Sequence, residues 1–110
     1  MQLQFHVPMY RYDGKTLIAV DYQVFRSELI EYLQSSRVSF QSKTIRETIG
    51  EYEFDEELLV VNCISSSILV QKYADLLIKY HNEFQHNFYV YEENGFSHTI
   101  SILDGKARII

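Results

Sequence analysis

The chain of 110 residues carries a formal net charge of −5 and is 46% hydrophobic, a composition typical of one globular domain and not of a disordered segment. Its Lys and Arg residues are scattered, which argues against nonspecific binding to nucleic acids or anionic membranes, because such binding needs clustered positive charge. No apolar run approaches the ~20 residues that span a bilayer, no signal-peptide pattern is present, and the single cysteine allows no internal disulfide, so a cytoplasmic protein is expected.

The N-terminal half of the chain predicts strands around one amphipathic helix. Polar and apolar residues alternate in QLQFHV, and a period of two is typical of a strand with one buried face. Asp13-Gly14 is a hairpin turn signal, and TLIAVDY after it predicts a second strand. RVSFQS predicts a further strand, and KTIRETIG, which is rich in Thr and Ile, also favours a strand. A helix is predicted over residues 23–35, with Asp21 as its candidate N-cap and an apolar stripe of Phe25, Leu29, Tyr32 and Leu33.

The segment GEYEFDEELLVVN concentrates five acidic residues just before an apolar run. Its alternation predicts a half-buried strand with Tyr52 and Phe54 on one face, a turn at 55–57, and then a strand covered on both faces in LLVVNCI. Two or three acids would suffice to protect an exposed strand from edge-to-edge pairing, so five exceed that structural need. The sequence therefore indicates a candidate surface for a basic partner, made of Glu51, Glu53, Asp55, Glu56 and Glu57.

The C-terminal half predicts a long helix followed by hairpins. SSSILVQKYADLLIKYHNEF offers serines for an N-cap and has apolar residues at helical spacing. Asn94-Gly95 and Asp104-Gly105 are turn signals between β-rich runs, the last of which is ARII. The predicted order is ββαβββαβββ, whose middle has the order of a split βαβ unit. We therefore predict a single α+β domain over residues 1–110, with a mostly antiparallel sheet, two helices packed on one face, and a ferredoxin-like core with extra terminal strands.

No motif predicts catalysis, a cofactor or a bound metal. His81 and His86 are five residues apart, which places them about 140° apart around a helix instead of on one face, where paired metal ligands lie. Cys63 lies in an apolar run, where a buried thiol is inert, and the chain has neither a glycine-rich phosphate loop nor a GxSxG motif. Asn62 and His98 fall on apolar strand faces and are expected to be hydrogen-bonded core residues.

Tyr89 and Tyr91 are predicted to extend the partner-binding surface. They alternate with Phe88 and Val90 along one strand, so they face outward if Phe88 and Val90 face the core. Outward tyrosines would supply the large amphipathic contact area that interfaces favour. The alternative is that another part of the chain covers this second face of the sheet.

The leading functional hypothesis is a non-catalytic protein–protein interaction module that presents these acids and tyrosines to the basic surface of a protein partner. If that partner handles nucleic acid, the acids would occupy its phosphate-binding groove and inhibit it, as a phage-encoded antagonist does. The abundance of Ile, Tyr, Asn, Gln and Ser is typical of A/T-rich coding in low-GC bacteria and their phages. One alternative is a homodimer joined through the tyrosine-bearing face or a free edge strand. The other is a small-molecule binder or enzyme with a pocket between sheet and helices that uses His98, Asn62 or His81.

Overall fold

The computed structural model describes all 110 residues, which fold into eight strands and two helices. Neither helix is both long enough and apolar enough to cross a membrane. In chain order the elements are β1 (Gln2–His6), β2 (Tyr10–Tyr12), β3 (Leu17–Ala19), α1 (Gln23–Ser35), β4 (Ser39–Ile49), β5 (Tyr52–Asn62), α2 (Ser67–Phe84), β6 (Tyr89–Glu93), β7 (Phe96–Leu103) and β8 (Lys106–Ile109).

The main sheet has six strands in the order β4-β5-β1-β6-β7-β8, and every neighbouring pair is antiparallel. The first four strands in this order, with α1 after β1 and α2 after β5, have the split βαβ arrangement. β7 and β8 extend that core at one edge, and β2 and β3 form a separate two-stranded hairpin between β1 and α1. The predicted α+β fold with helices on one face of an antiparallel sheet is confirmed. The predicted order ββαβββαβββ was wrong: the order is βββαββαβββ, because Tyr10–Tyr12 forms an additional strand and only two long strands lie between the helices.

The core lies between the two helices and one face of the sheet. On this helix side, the strands β1, β5, β6 and β7 contribute Leu3, Phe5, Leu59, Val61, Tyr89, Tyr91 and Ile100, and Val7 follows directly after β1. The helices contribute Phe25, Leu29, Leu33, Leu69, Tyr73, Leu77 and Phe84. All of these side chains are buried, and many are large aromatic or aliphatic groups whose packing stabilises the fold.

The predicted orientation of Tyr89 and Tyr91 was wrong. Both are buried on the helix side, whereas Phe88, which precedes β6, is 56% exposed. Tyr91 pairs with Phe5 in the strand register and therefore shares its face. Tyr89 can be buried because its hydroxyl and Nδ1 of His81 share a hydrogen bond of 2.7 Å, which satisfies its polar end. The two tyrosines are thus core residues and do not form the exposed contact surface that the alternation predicted.

The predicted turn at 55–57 was also wrong. β5 is one continuous strand, paired with β4 from Ser39↔Asn62 to Ile49↔Tyr52 without a bulge. The chain instead turns at Gly50 and Glu51, and Gly50 adopts a φ of 57°, as the first position of a type II′ hairpin turn requires. The turns predicted at Asn94-Gly95 and Asp104-Gly105 are confirmed, and all four residues have positive φ.

The β4–β5 hairpin is longer than the strand beside it, and this positions the candidate site. β1 pairs only with Leu58–Asn62 of β5, so residues 44–57 project beyond the end of β1 as an arm. The β2–β3 hairpin packs on the face of this arm that points away from the helices. Tyr10 contacts Phe54 with ring centroids 5.2 Å apart, and the hydroxyl of Tyr52 donates to the carbonyl oxygen of Lys15 at 3.2 Å.

Candidate functional site

A cavity of about 620 Å³ opens at the end of the sheet where β1 stops. Its walls come from the β2–β3 hairpin, the arm, residues 85–88 and the start of β6. A volume of this size lies within the range of roughly 300–1,000 Å³ that small-ligand sites occupy. The residues that give it chemical character are Arg11, Glu47, Glu56, Glu92, His6 and His86, together with the rings of Tyr10, Tyr12, Phe54 and Phe88.

The cavity forms where β1 and β6 separate. The two strands pair as far as Phe5↔Tyr91, and beyond this pair they are bridged by the side chain of Tyr73 from α2. The hydroxyl of Tyr73 donates to the carbonyl oxygen of His6 at 2.7 Å and lies 3.5 Å from the carbonyl oxygen of Val90. A phenol can reach this position because its ring stacks on Phe5 inside the core, 4.5 Å between centroids. The backbone carbonyl of His6, freed by the separation, is thereby satisfied at the cavity floor.

His6 lies between two carboxylates in the cavity wall. Its Nδ1 is 3.0 Å from Oε1 of Glu56, and its Nε2 is 2.8 Å from Oε2 of Glu92. Burial lowers the pKa of His6, but the hydrogen bonds to Glu56 and Glu92 outweigh it, and the pKa is raised above 6.5. A carboxylate can only accept, so both ring nitrogens must donate, and this requires the charged imidazolium. The trio is an ion-paired clamp that joins β1, β5 and β6.

The same trio is not a metal site. Its two imidazole nitrogens point to separate carboxylates, so the three side chains do not converge on one point. No group of three or more His, Cys, Asp or Glu side chains in the chain is arranged to hold a metal ion.

His86 closes the opposite wall. Its ring stacks on Tyr89 at 5.1 Å with an interplanar angle of 6°, and its Nε2–H donates to the carbonyl oxygen of Tyr10 at 2.6 Å. Burial lowers the pKa of His86, so its neutral form is favoured. This histidine therefore ties the β2–β3 hairpin to the segment that connects α2 and β6.

The five predicted acids are divided between different environments. Glu51 is exposed at the hairpin turn, and the side chains of Glu53 and Asp55 are 65% and 64% exposed but both accept hydrogen bonds from Arg46. Glu56 belongs to the His6 clamp in the cavity. Glu57 faces the helices and accepts from Arg26 of α1 at 2.6 and 2.9 Å and from Ser42. The acids therefore do not form one continuous surface.

Other sequence candidates lie outside the cavity. His98 stacks on Tyr91 with ring centroids 5.0 Å apart, and Asn62 is an exposed residue at the far end of β5. Nδ1 of His81 shares a hydrogen bond with the hydroxyl of Tyr89. Burial raises the pKa of the half-buried Cys63 thiol, and this disfavours the reactive thiolate. None of His98, Asn62 and His81 lines the cavity at the end of the sheet.

Sequence reasoning missed His6, Glu92, Glu47 and Arg11. The alternation in QLQFHV places His6 on the polar side of β1, which was visible from the sequence. Its two partners are 50 and 86 residues away, and only the order β5-β1-β6 brings them beside it. No periodicity within one segment carries that information.

Comparison with protein-family models, with curated proteins and with solved structures finds no match. Three carboxylates, Glu47, Glu56 and Glu92, face two cations, Arg11 and the imidazolium of His6, so the wall retains a net negative charge. Carboxylates beside aromatic rings favour a cationic ligand, whose apolar stem can lie on the rings.

Proposed function

We propose that the chain is a non-catalytic binding module whose cavity at the end of the sheet takes a basic side chain from a segment of a partner protein. The observation that supports this is the coincidence of an open cavity, an excess of carboxylates and exposed aromatic rings in one place. A Lys or Arg side chain has the required shape, because its methylene stem packs on aromatic surface while its head pairs with a carboxylate.

Glu47 is the carboxylate best placed to receive the cation. Glu56 and Glu92 already hold His6, whereas Glu47 is half-buried in the cavity wall and forms no ion pair or side-chain hydrogen bond within the chain. An incoming cation therefore gains a new partner at Glu47 without breaking an existing one.

Phe88 supplies an apolar surface at the same cavity. It is 56% exposed although it is a large hydrophobic side chain, and exposed aromatic groups beside polar ones are typical of binding sites. In the free protein, the exposed ring of Phe88 does not contribute the stabilisation that a buried Phe provides. The apolar stem of a bound Lys or Arg would cover part of the ring and recover part of this stabilisation.

The partner that we propose is a basic protein that handles nucleic acid. A basic protein that handles nucleic acid would offer Lys and Arg side chains in its phosphate-binding groove, and the module would then act as an inhibitor of that protein in the cytoplasm. This requires no contact of the chain itself with nucleic acid or membrane. The net charge of −5 supports it, because it opposes direct binding to phosphate backbones.

The proposal is tested with short peptides as probes. Acetylated tetra-arginine and tetra-lysine peptides are titrated into the isotope-labelled chain, and amide shifts are followed by NMR, with tetra-glutamate as the charge control. We expect the basic peptides to shift residues that line the cavity, and Glu47→Gln and Phe88→Ala each to weaken binding by roughly tenfold. Nα-acetyl-L-arginine amide, which carries a single guanidinium, tests whether one cationic group is sufficient. Binding of this compound as tight as that of the peptides would indicate a small-molecule ligand.

Two matched variants control for nonspecific effects. Glu83→Gln removes an exposed carboxylate elsewhere, and Phe96→Ala removes another exposed Phe, 74% accessible, that does not line the cavity. Both should bind like the unmodified chain. Equal losses in the cavity variants and their controls, or shifts confined to residues outside the cavity, would overturn the proposal.

A further inference from the structure

β4 leaves one side of its backbone unpaired along its whole length. It is an edge strand of the six-stranded sheet and pairs with β5 through all 11 of its residues. In such an antiparallel pair, every second residue turns its N–H and C=O away from the neighbouring strand. None of the backbone hydrogen bonds outside helices and strands reaches residues 39–49. The free side of β4 is therefore a template for another strand.

The features that usually prevent edge pairing are weak in β4. It contains no proline or glycine, and its pairing with β5 has no bulge. β8, the strand at the opposite edge, has only four residues and offers a much shorter template. β4 does carry Lys43 and Glu47 on its outer face, and such charges usually discourage edge pairing. A strand that places an opposite charge against each of them avoids this repulsion.

We propose that a second copy of the chain pairs with β4, antiparallel and centred on Ile45, so that two six-stranded sheets become one. In this register Ile45 faces Ile45 of the second copy. Lys43 of each copy then faces Glu47 of the other, and Gln41 faces Ile49. Two equivalent Lys–Glu pairs therefore form around the two-fold axis.

The charge pattern of β4 is what selects a second copy over an unrelated strand. Lys43 and Glu47 lie two residues on either side of Ile45 on the outer face of the sheet, and neither forms an ion pair within its own chain. Arg46 points to the helix side, where Asp55 and Glu53 hold it, and it faces Thr44 of the second copy. No like charges oppose each other in this register. Opposite charges placed symmetrically about one residue are self-complementary.

Pairing of copies and binding of a basic ligand share Glu47. A ligand cation and Lys43 of the second copy both approach this carboxylate, but Lys43 does not line the cavity. A substitution at Lys43 should therefore affect only the pairing of copies, and a substitution at Phe88 should affect only ligand binding in the cavity. The inference does not depend on the proposed function, and the two can fail separately.

Sedimentation equilibrium of the full chain, from low to high micromolar concentration, measures the pairing. We expect the mass to rise from 13.1 kDa towards twice that value. Lys43→Glu places acid against acid and Glu47→Lys places base against base, so each variant alone should dimerise about tenfold more weakly. A mixture of the two variants restores both opposite pairs and should form a mixed dimer, and K43E/E47K within one chain should dimerise like the unmodified protein.

Lys106→Glu is the matched control, because it reverses an exposed lysine on β8 at the other edge. It should leave the dimer unchanged, and K43E should still bind the basic peptides. An unmodified chain that remains at 13.1 kDa at high micromolar concentration would overturn the inference. So would a K43E variant that dimerises normally, or a mixture that associates no better than its components. Restoration by the mixture also excludes misfolding as the cause of any loss.

Discussion

The single imidazole ring of His6 forms hydrogen bonds to two carboxylates, and this makes the stability of the fold depend on pH. Only the imidazolium donates from both nitrogens, so deprotonation would leave a ring lone pair facing a carboxylate of Glu56 or Glu92. The folded protein therefore binds the His6 proton more tightly than the unfolded chain does, which corresponds to the raised pKa of His6. Stability from this clamp is fully present below the unfolded pKa of about 6.5 and is lost as pH rises through the folded pKa.

The free energy of unfolding is thus expected to fall as pH rises from 6.5 through the raised pKa of His6, and His6→Gln should remove this slope. His86 acts in the opposite direction and in a different window, because its lowered pKa costs stability only as pH falls below 6.5. Urea unfolding at a series of pH values measures both slopes. His98→Gln, which removes an imidazole outside the clamp, is the control and should keep the slope above pH 6.5. A slope that survives in His6→Gln would show that another group carries it.

At the scale of elements, local patterns were sufficient wherever an element is defined by its own residues. The helix predicted over 23–35 is α1, and the turns at Asn94-Gly95 and Asp104-Gly105 lie where the signals placed them. The predictions for β5 and β6 failed because they needed information from neighbouring strands. The acids at 55–57 resemble a turn in isolation, but the uninterrupted register with β4 keeps them in a strand.

The turn between β4 and β5 depends on the absence of a side chain at Gly50. Gly50 has a φ of 57°, and a Cβ built there would lie 2.8 Å from the hydroxyl oxygen of Tyr12, at the contact between the β2–β3 hairpin and the arm. Gly50→Ala should therefore lower the free energy of unfolding by more than the roughly 1 kcal/mol expected from a positive φ alone. Gly95→Ala is the matched comparison, because Gly95 has a φ of 85° with nothing within 4 Å of its Cβ position.

Tyr12→Phe completes a double-mutant cycle for this contact. The hydroxyl of Tyr12 also donates to the carbonyl oxygen of Gly14 at 3.0 Å, so the single change has a cost of its own. In the Tyr12→Phe background, Gly50→Ala should cost less than in the unmodified chain, because the nearest atom is gone. Equal costs in both backgrounds would show that backbone strain, and not the hairpin contact, determines the loss.

Across the whole molecule, the acids of β5 and its turn divide into those that hold the fold together and those that stay exposed to solvent. Glu57 fixes α1 to the sheet through Arg26, and burial raises its pKa less than the hydrogen bonds from Arg26 and Ser42 lower it. Glu56 is held by His6. Glu51, Glu53 and Asp55 remain exposed near the arm's tip, and Arg46 offsets part of the charge of the last two. The sequence identified the acidic segment, but only the strand alternation and its neighbours show which members are free.

The three exposed acids should therefore steer a basic ligand without anchoring it. In the triple variant E51Q/E53Q/D55N, we expect the association rate of a fluorescein-labelled tetra-lysine peptide to fall a few-fold at low salt, because opposite charges accelerate encounter. The dissociation rate should change little, since these side chains do not line the cavity. The salt dependence of association should become shallower. Stopped-flow anisotropy at several ionic strengths measures each quantity, and E31Q/E83Q/D104N, which removes the same charge from exposed positions elsewhere, is the control. If both triple variants slow association equally, net charge alone determines encounter, and the arm's tip has no special part in it.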